Sequence, residues 1–320
     1  MKKRYVILIG IVLLAMIPIL FFINLEILKS YLLWLFLTAF VIISLFFIID
    51  IQAIAPKTVK ERHSVVEMQY HGRKVFILNP KNKSEIGDVI LYLHGGSYVI
   101  EATYKHWKFL EDLVADTGMT LILPDYPLTP KYTYKEVFEM IEPLYMDITK
   151  KIDNRKLILM GDSAGGGMAL ALAEKISNMD VRQPDKTILL SPWLDVTLSN
   201  PKITKELQQK DPRLIKDVLK VAGVTYAGKE GMDNYLVNPI VGPIKNLKNV
   251  TLYIGTYDIL NPDAHTFLER AEKENVHIDF RETEKAIHIW MTYREKKQYA
   301  SEETYQDIVK LVKEVKKNEG

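Results

Sequence analysis

Hydrophobic positions are spread unevenly along the chain. Tyr5 to Ile23 is a stretch of 19 residues without a charge, and Tyr31 to Ile49 is a second of the same length. Each is long enough to cross roughly 30 Å of hydrocarbon as a helix, and the segment between them, Asn24 to Ser30, has the length of a turn. The pattern predicts a transmembrane helical hairpin at 1–50. A cleaved signal peptide, suggested by Lys2, Lys3 and Arg4, fits less well, because the apolar run exceeds a signal core, no small-residue cleavage site closes it, and a second run follows. Basic residues precede the first span and, as Lys57, Lys60 and Arg62, follow the second, with only Lys29 between them. The positive-inside rule therefore predicts a multi-pass protein, most simply of the plasma membrane, with its large domain in the cytoplasm.

After a linker at 51–60 the rhythm changes. Short apolar, β-branched runs recur at Lys74 to Asn79, Asp88 to His94, Met119 to Pro124, Lys156 to Met160, Thr187 to Leu190, Val250 to Gly255 and Val276 to Arg281. Such near-continuous runs suit strands covered on both faces. Helical patterns lie between them at Lys105 to Thr117, Tyr134 to Ile152, Ala164 to Ser177 and Ala264 to Glu274, and the alternation predicts one α/β domain over 61–320 with a mostly parallel, doubly wound sheet. Asn200 to Tyr235 breaks the alternation with a polar stretch longer than an ordinary connection, which reads as an inserted small cap at 200–235; an ordinary surface excursion is the plainer reading. Tyr305 to Lys317 has the apolar spacing of a terminal amphipathic helix packed on the sheet.

Composition narrows the chemistry. With 42 Lys+Arg against 40 Asp+Glu, intermixed, there is no extended basic surface and nucleic acid is not an expected partner. The chain has no cysteine, which removes thiolate nucleophiles and zinc sites built on sulfur. The histidines and acids show no compact metal-ligand spacing, and the glycine run at Gly165 to Gly167 lacks the spacing of a nucleotide loop, so neither a metal nor another cofactor is expected.

The sharpest signal is Gly161-Asp162-Ser163-Ala164-Gly165, with a strand pattern before it and a helix pattern after. That context is required of a nucleophile elbow, where glycines permit a tight strand-to-helix turn and the serine hydroxyl projects from its crest. Ser163 is the candidate nucleophile; the bland alternative is a serine that merely caps the helix. Acyl transfer also needs donors for an oxyanion, and Gly95, Gly96 and Ala164 offer backbone N–H groups in the right places, after one strand and at the start of the helix. His94 reads as shaping the glycine loop rather than as the base. Asp258 and His288 each follow a strand pattern and come after the serine in the order nucleophile, acid, histidine. Asp263 is the rival acid, read as a helix cap or outer support, and His277 and His265 are rival bases with structural readings inside a strand and a helix.

With those residues in place, Glu85 to Trp290 resembles the α/β-hydrolase fold, and specifically the hormone-sensitive-lipase-like esterase family. The matches are His94-Gly95-Gly96, the Asp125 to Pro130 segment, Gly161 to Gly166, Ser191-Pro192-Trp193, Tyr257 to Leu260, and the late histidine. The resemblance implies cofactor-free hydrolysis of carboxylic esters of short to medium acyl chain by Ser163, His288 and Asp258, with Asp125, Tyr126 and Pro130 supporting the oxyanion loop. It also draws attention to caps: Glu61 to Gly87 is short and looks more like a hairpin than a lid, which leaves 200–235 as the cap. Two departures stand out, Ser97 in place of a third glycine and the apolar amino terminus.

The expected function is thus a membrane-anchored serine hydrolase whose partners are a small-molecule or lipid-like ester and the lipid bilayer. An amidase or deacetylase with the same acyl-enzyme chemistry, and a non-catalytic membrane scaffold or sensor, are the alternatives. Tyr98, Trp107 and Trp290 flank the motifs and are candidates for lining an acyl pocket or for packing, whereas Trp193 reads as structural.

Overall fold

A computed structural model describes residues 53–81, 87–294 and 300–315. Its eight strands, β1 (Ser64–Tyr70), β2 (Arg73–Asn79), β3 (Val89–Leu93), β4 (Thr120–Pro124), β5 (Leu157–Asp162), β6 (Lys186–Leu190), β7 (Val250–Gly255) and β8 (Ile278–Thr283), form one sheet in the order β1-β2-β4-β3-β5-β6-β7-β8. β1 and β2 pair antiparallel, as do β2 and β4, and every other pairing is parallel. The helices are α1 (Lys57–Arg62), α2 (Tyr104–Thr117), α3 (Tyr134–Lys151), α4 (Ala164–Ser177), α5 (Lys205–Lys210), α6 (Lys216–Ala227), α7 (Asn261–Lys273) and α8 (Ser301–Glu314).

The inner strands β3 to β7 are almost wholly buried because both faces of the sheet are covered there. Side chains alternate between faces with a period of two: Leu91, Leu93, Leu157, Leu159 and Leu252 pack in one buried cluster with α3, α4 and α7, while Ile90, Tyr92, Ile158, Met160 and Tyr253 pack in the other with α2 and α8. α4 is buried on nearly all sides, and the small residues of its AGGGMALALA run let it lie close to the strands around it. α3 starts on a reciprocal cap, in which Glu136 Oε2 accepts from Thr133 N at 2.7 Å and Lys135 N donates to Thr133 Oγ1 at 3.4 Å. α8 buries Tyr305, Ile308, Val309 and Val312 against the sheet domain, in line with the amphipathic pattern.

Strand order decides where the site forms. The crossover from β3 leads outward to β4, whereas β5 pairs on the opposite side of β3, with Leu93 beside Gly161. The carboxyl ends of β3 and β5 meet at this reversal, the place where open α/β sheets collect their ligands.

The fold class expected from sequence needs correction. Among the described residues no helix is long and apolar enough to cross a membrane; the 18-residue α3 carries charges along its length and buries a single apolar face in the protein. The two spans expected at 1–50 lie outside the described residues. Among the described residues the structure supports a mixed, mostly parallel sheet with helices on both faces and a small helical excursion, and no transmembrane hairpin. The membrane anchor, the bilayer as a partner and the multi-pass location all rested on that hairpin and are withdrawn with it.

Candidate active site

β5 ends at Asp162 and α4 begins at Ala164, so Ser163 alone makes the turn, at φ 53° and ψ −121°. A non-glycine residue at positive φ is strained and is held only by what surrounds it. Here the surroundings are specific: Ser163 N donates to Leu190 O at 2.9 Å, while Ser163 O accepts from Gly167 N at 3.1 Å and Trp193 N at 2.9 Å. Close approach explains the glycines. A Cβ at Gly161 would lie 2.3 Å from Gly165 O, and one at Gly165 would lie 2.0 Å from Leu93 O. The Ser163 side chain makes no capping bond to α4.

Its hydroxyl instead meets the histidine. His288 Nε2 lies 2.9 Å from Ser163 Oγ, and His288 Nδ1 lies 2.9 Å from Asp258 Oδ2. A carboxylate only accepts, so Nδ1 carries the proton and donates, leaving Nε2 bare to accept from the serine. Asp258 is itself oriented by Leu260 N, which donates to Oδ1 at 3.0 Å. All three side chains are buried. The rivals do not reach this line. Asp263 sits on α7, accepts from Asn200 Nδ2 at 2.9 Å and is pushed up to about 7, chiefly by burial; His265 pairs with Glu282 at 2.7 Å; His277 is exposed.

The glycine loop after β3 lies against the elbow. Gly95 N donates to Asp162 Oδ1 at 2.9 Å, so this expected oxyanion donor is engaged by a carboxylate in the structure. Among the described residues no hydrogen bond occupies Gly96 N–H or Ala164 N–H, which leaves these two as open donors. Gly96 adopts φ +131°, and a Cβ there would meet Ile100 O at 2.3 Å. Ser97, in the position of the third glycine, takes a left-handed φ of 54°.

His94 is fully buried, and burial, with His106 adding to it, lowers its pKa to about 4. It is therefore neutral at physiological pH; Nδ1–H donates to Gly95 O at 2.7 Å, its ring stacks on Tyr126 at 4.3 Å, and Tyr126 Oη donates to His94 O at 2.6 Å. Asp125 ties this layer to β2, since Arg73 Nε donates to its carbonyl at 2.8 Å and Arg73 Nη2 to Oδ2 at 3.3 Å, while Ala53 N reaches the same carboxylate at 3.0 Å. Burial raises Asp125 to about 6, against the opposing pull of Arg73. These contacts give His94, Asp125 and Tyr126 the geometry of a loop support.

Sequence reasoning assigned no role to Asp162, yet it joins three elements. Tyr92 Oη donates to Oδ1 at 2.8 Å and His106 Nε2 to Oδ2 at 3.2 Å, alongside Gly95 N. Burial alone would raise this carboxyl, but the neighbouring His106 and the bonds from His106, Tyr92 and Gly95 outweigh it and hold the pKa at about 2, below its ordinary value of 3.8. A depressed folded-state pKa contributes stability that is present above the unfolded value and lost as pH falls through the folded one. Asp162→Asn should therefore cost about 2 kcal/mol at neutral pH. In urea unfolding the difference from wild type should shrink as pH falls from 3.8 to about 2; a gap independent of pH would refute the assignment.

Ser191 was also legible only as part of a motif. Its Oγ accepts from Ile289 N at 3.0 Å, fixing the residue after His288. Of the aromatic candidates, Trp107 packs edge-on against Phe76, and Trp290 Nε1 donates to Thr304 Oγ1 at 3.1 Å, so both belong to the core beneath the sheet. Tyr98 is different: its ring stacks on Tyr226 of α6 at 3.6 Å and on Trp193 at 5.3 Å. A Cβ on Gly167, one turn beyond Ser163, would lie 3.5 Å from Tyr98 Oη. Among the described residues no group of His, Asp and Glu is arranged to hold a metal ion.

A family model described as alpha/beta hydrolase fold matches residues 90–292, more than half of the chain. The chain belongs to the α/β-hydrolase fold family. An esterase from Acinetobacter venetianus is 28% identical to this α/β-hydrolase over 204 residues, which cover 63% of the chain and 67% of the relative. Hormone-sensitive lipase of Mus musculus is 25% identical over 152 residues, 46% of the chain but only 20% of the lipase. Among solved structures, an esterase from the bacterial hormone-sensitive lipase family superposes with a TM-score of 0.73 at 21% identity, covering 80% of this chain and 85% of that one, which bears on the fold alone. Family, relatives and the triad-like arrangement make this α/β-hydrolase a serine hydrolase of the esterase/lipase type, related to the hormone-sensitive-lipase-like enzymes.

Proposed function

We propose that the protein cleaves carboxylic esters with short to medium acyl chains through an acyl-enzyme at Ser163. The observation that carries this reading is the continuous hydrogen-bonded line from Ser163 through His288 to Asp258 at the crest of the elbow. In the first half-reaction His288 Nε2 takes the hydroxyl proton as Ser163 Oγ attacks the ester carbonyl, and Asp258 holds the resulting imidazolium. The carbonyl oxygen gains the negative charge and is met by the N–H groups of Gly96 and Ala164, with Gly95 joining if it turns from Asp162; donors fixed in advance cost no reorganisation at that moment. Collapse breaks the bond to the alcohol oxygen, which leaves with the proton from His288. Water then gives a proton to His288 as it attacks the acyl carbon, and collapse breaks the bond to Ser163 Oγ, which takes that proton back from His288 as the acid is released.

The helical segment at 200–235 serves in this reading as the cap. Through Tyr226 it brings an aromatic ring onto Tyr98, and the stack of Tyr98, Tyr226 and Trp193 fills space near the nucleophile helix. That filling supports a preference for short acyl chains.

Purified full-length protein assayed with p-nitrophenyl acetate, butyrate, octanoate and dodecanoate, and with p-nitroacetanilide, tests the proposal. Turnover should be greatest with the two shortest esters, fall with chain length, be much weaker with the anilide, and vanish in His288→Ala. Hydrolysis of the anilide in preference to every ester would replace the esterase reading with an amidase. A folded protein that turned over none of them would contradict both.

A further inference from the structure

The turn between α5 and α6 reaches both loops that carry the acid and the histidine. Asp211 ends α5 and is fully buried. Its Oδ1 accepts from Arg213 N at 3.1 Å, and its Oδ2 from Ile259 N, the amide next to Asp258, at 3.4 Å. The Arg213 side chain runs to the other loop: Nη1 donates to His288 O at 2.7 Å, and the guanidinium lies 3.6 Å from the centroid of the Tyr293 ring. One three-residue turn thus holds the backbone beside Asp258 and the backbone of His288 itself, across sequence separations of 48 and 75 residues.

The charges in this contact matter as much as the bonds. Facing Asp211 are Asp258 on the acid loop, His288 on the histidine loop and Arg213 on its own turn; Asp162 on the elbow lies within electrostatic reach of Arg213. Burial, then Asp258, pushes Asp211 above its ordinary value. Burial lowers Arg213 to about 10 despite the carboxylates around it, so the guanidinium stays charged at neutral pH. When Asp211 and Asp258 are ionised, they and Arg213 leave one net negative charge against a neutral His288. Proton transfer from Ser163 makes the imidazolium and neutralises the group. Low local dielectric magnifies that balance.

We propose that Asp211 and Arg213 are positioning residues of the hydrolysis: their turn fixes the loops of Asp258 and His288, and their opposite charges set how readily His288 accepts the serine proton. The proposal rests on reading Ser163, His288 and Asp258 as the triad. Arginine suits the place because its planar fork donates to a carbonyl and stacks on an aromatic ring at once.

The test compares wild type, Arg213→Met, Arg213→Lys and Asp211→Asn with p-nitrophenyl acetate over about pH 5 to 9, where kcat/KM reports the free enzyme's base. Ser163→Ala and thermal melts of every variant run alongside. Arg213→Met should lower kcat about tenfold or more with little change in KM, as expected of misplaced reacting groups. Removing a cation favours the imidazolium, so its acid limb should move up by roughly half to one pH unit; removing a carboxylate disfavours it, so the limb of Asp211→Asn should move down. Arg213→Lys should return the limb to its wild-type place. Opposite shifts cannot arise from loss of folded protein, which scales the whole profile. Limbs that stay fixed, limbs that move the same way, or wild-type kcat in Arg213→Met would overturn the proposal while leaving the triad intact. Activity retained by Ser163→Ala would remove the triad reading itself.

Discussion

Replacing Ser163 with alanine should reduce ester turnover by about 10⁴-fold to 10⁶-fold without altering the fold. The expectation follows from what the side chain does. It makes no capping bond to α4, and its hydrogen bond to His288 Nε2 serves chemistry rather than packing. Alanine keeps the Cβ and the positive φ, so the elbow should form as before. Because a nucleophile and its base act as one unit, His288→Ala should cost a similar factor, and Ser163→Ala with His288→Ala little more than either alone. Asp258→Asn should cost less, about 10⁴-fold, by presenting the wrong tautomer to the serine. Steady-state rates of purified variants, each checked by its circular dichroism spectrum, measure all four. Additive losses in the double variant would mean that the two residues do not share one proton transfer.

The largest effect on stability is expected at Gly165. An alanine Cβ there would lie 2.0 Å from Leu93 O and 2.5 Å from His94 O, both backbone atoms of the loop that begins at the end of β3. Neither can move without shifting β3 or the glycine loop, so the cost should reach roughly 3 kcal/mol or prevent folding. Two other glycines calibrate the claim. At Gly166 the nearest atom to a Cβ is Pro192 Cα at 2.9 Å, also a backbone contact but a much less severe overlap than the one at Gly165, so the loss should be smaller. At Gly72 nothing lies within 4 Å, but φ is +76°, so only the conformational cost of about 1 kcal/mol applies. Urea denaturation of Gly165→Ala, Gly166→Ala and Gly72→Ala should give the first as the least stable by a clear margin. A wild-type midpoint for Gly165→Ala would mean that the elbow is not packed as described.

How much of this was readable beforehand depended on where the partners lie. β3 to β7 were visible because strands covered on both faces are nearly all apolar, whereas β2 and β8 carry Arg73, Lys74, Asp279, Arg281 and Glu282 and showed only as shorter apolar patterns. β1 was visible only as part of a hairpin, since Ser64, Glu67 and Gln69 face solvent at the sheet edge and dilute the pattern. The excursion at 200–235 showed itself by breaking the alternation, and two short helices occupy it. Ser163, Asp258 and His288 could be picked out because a local glycine pattern and a chain order each constrain them. Asp162, Asp211, Arg213 and Ser191 could not, because each meets a backbone atom 67, 48, 75 or 98 residues away, and a backbone atom leaves no mark in the sequence. For the same reason nothing in the glycine loop showed that Gly95 N–H turns toward Asp162. The amino-terminal apolar runs led to the largest correction: the pattern suggested membrane spans at 1–50, yet the described residues contain no membrane-crossing helix.

The most direct test of the central claim is to treat full-length protein, wild type and Ser163→Ala, with a fluorophosphonate and to locate the adduct by peptide mass spectrometry. A serine whose proton passes to a neighbouring imidazole attacks the phosphorus and displaces fluoride, leaving a stable phosphonyl ester. The expected result is one adduct on the peptide containing Ser163, absent from Ser163→Ala and strongly slowed in His288→Ala. Folded wild-type protein that acquired no adduct, or acquired it on another serine, would contradict the assignment of Ser163 as the nucleophile.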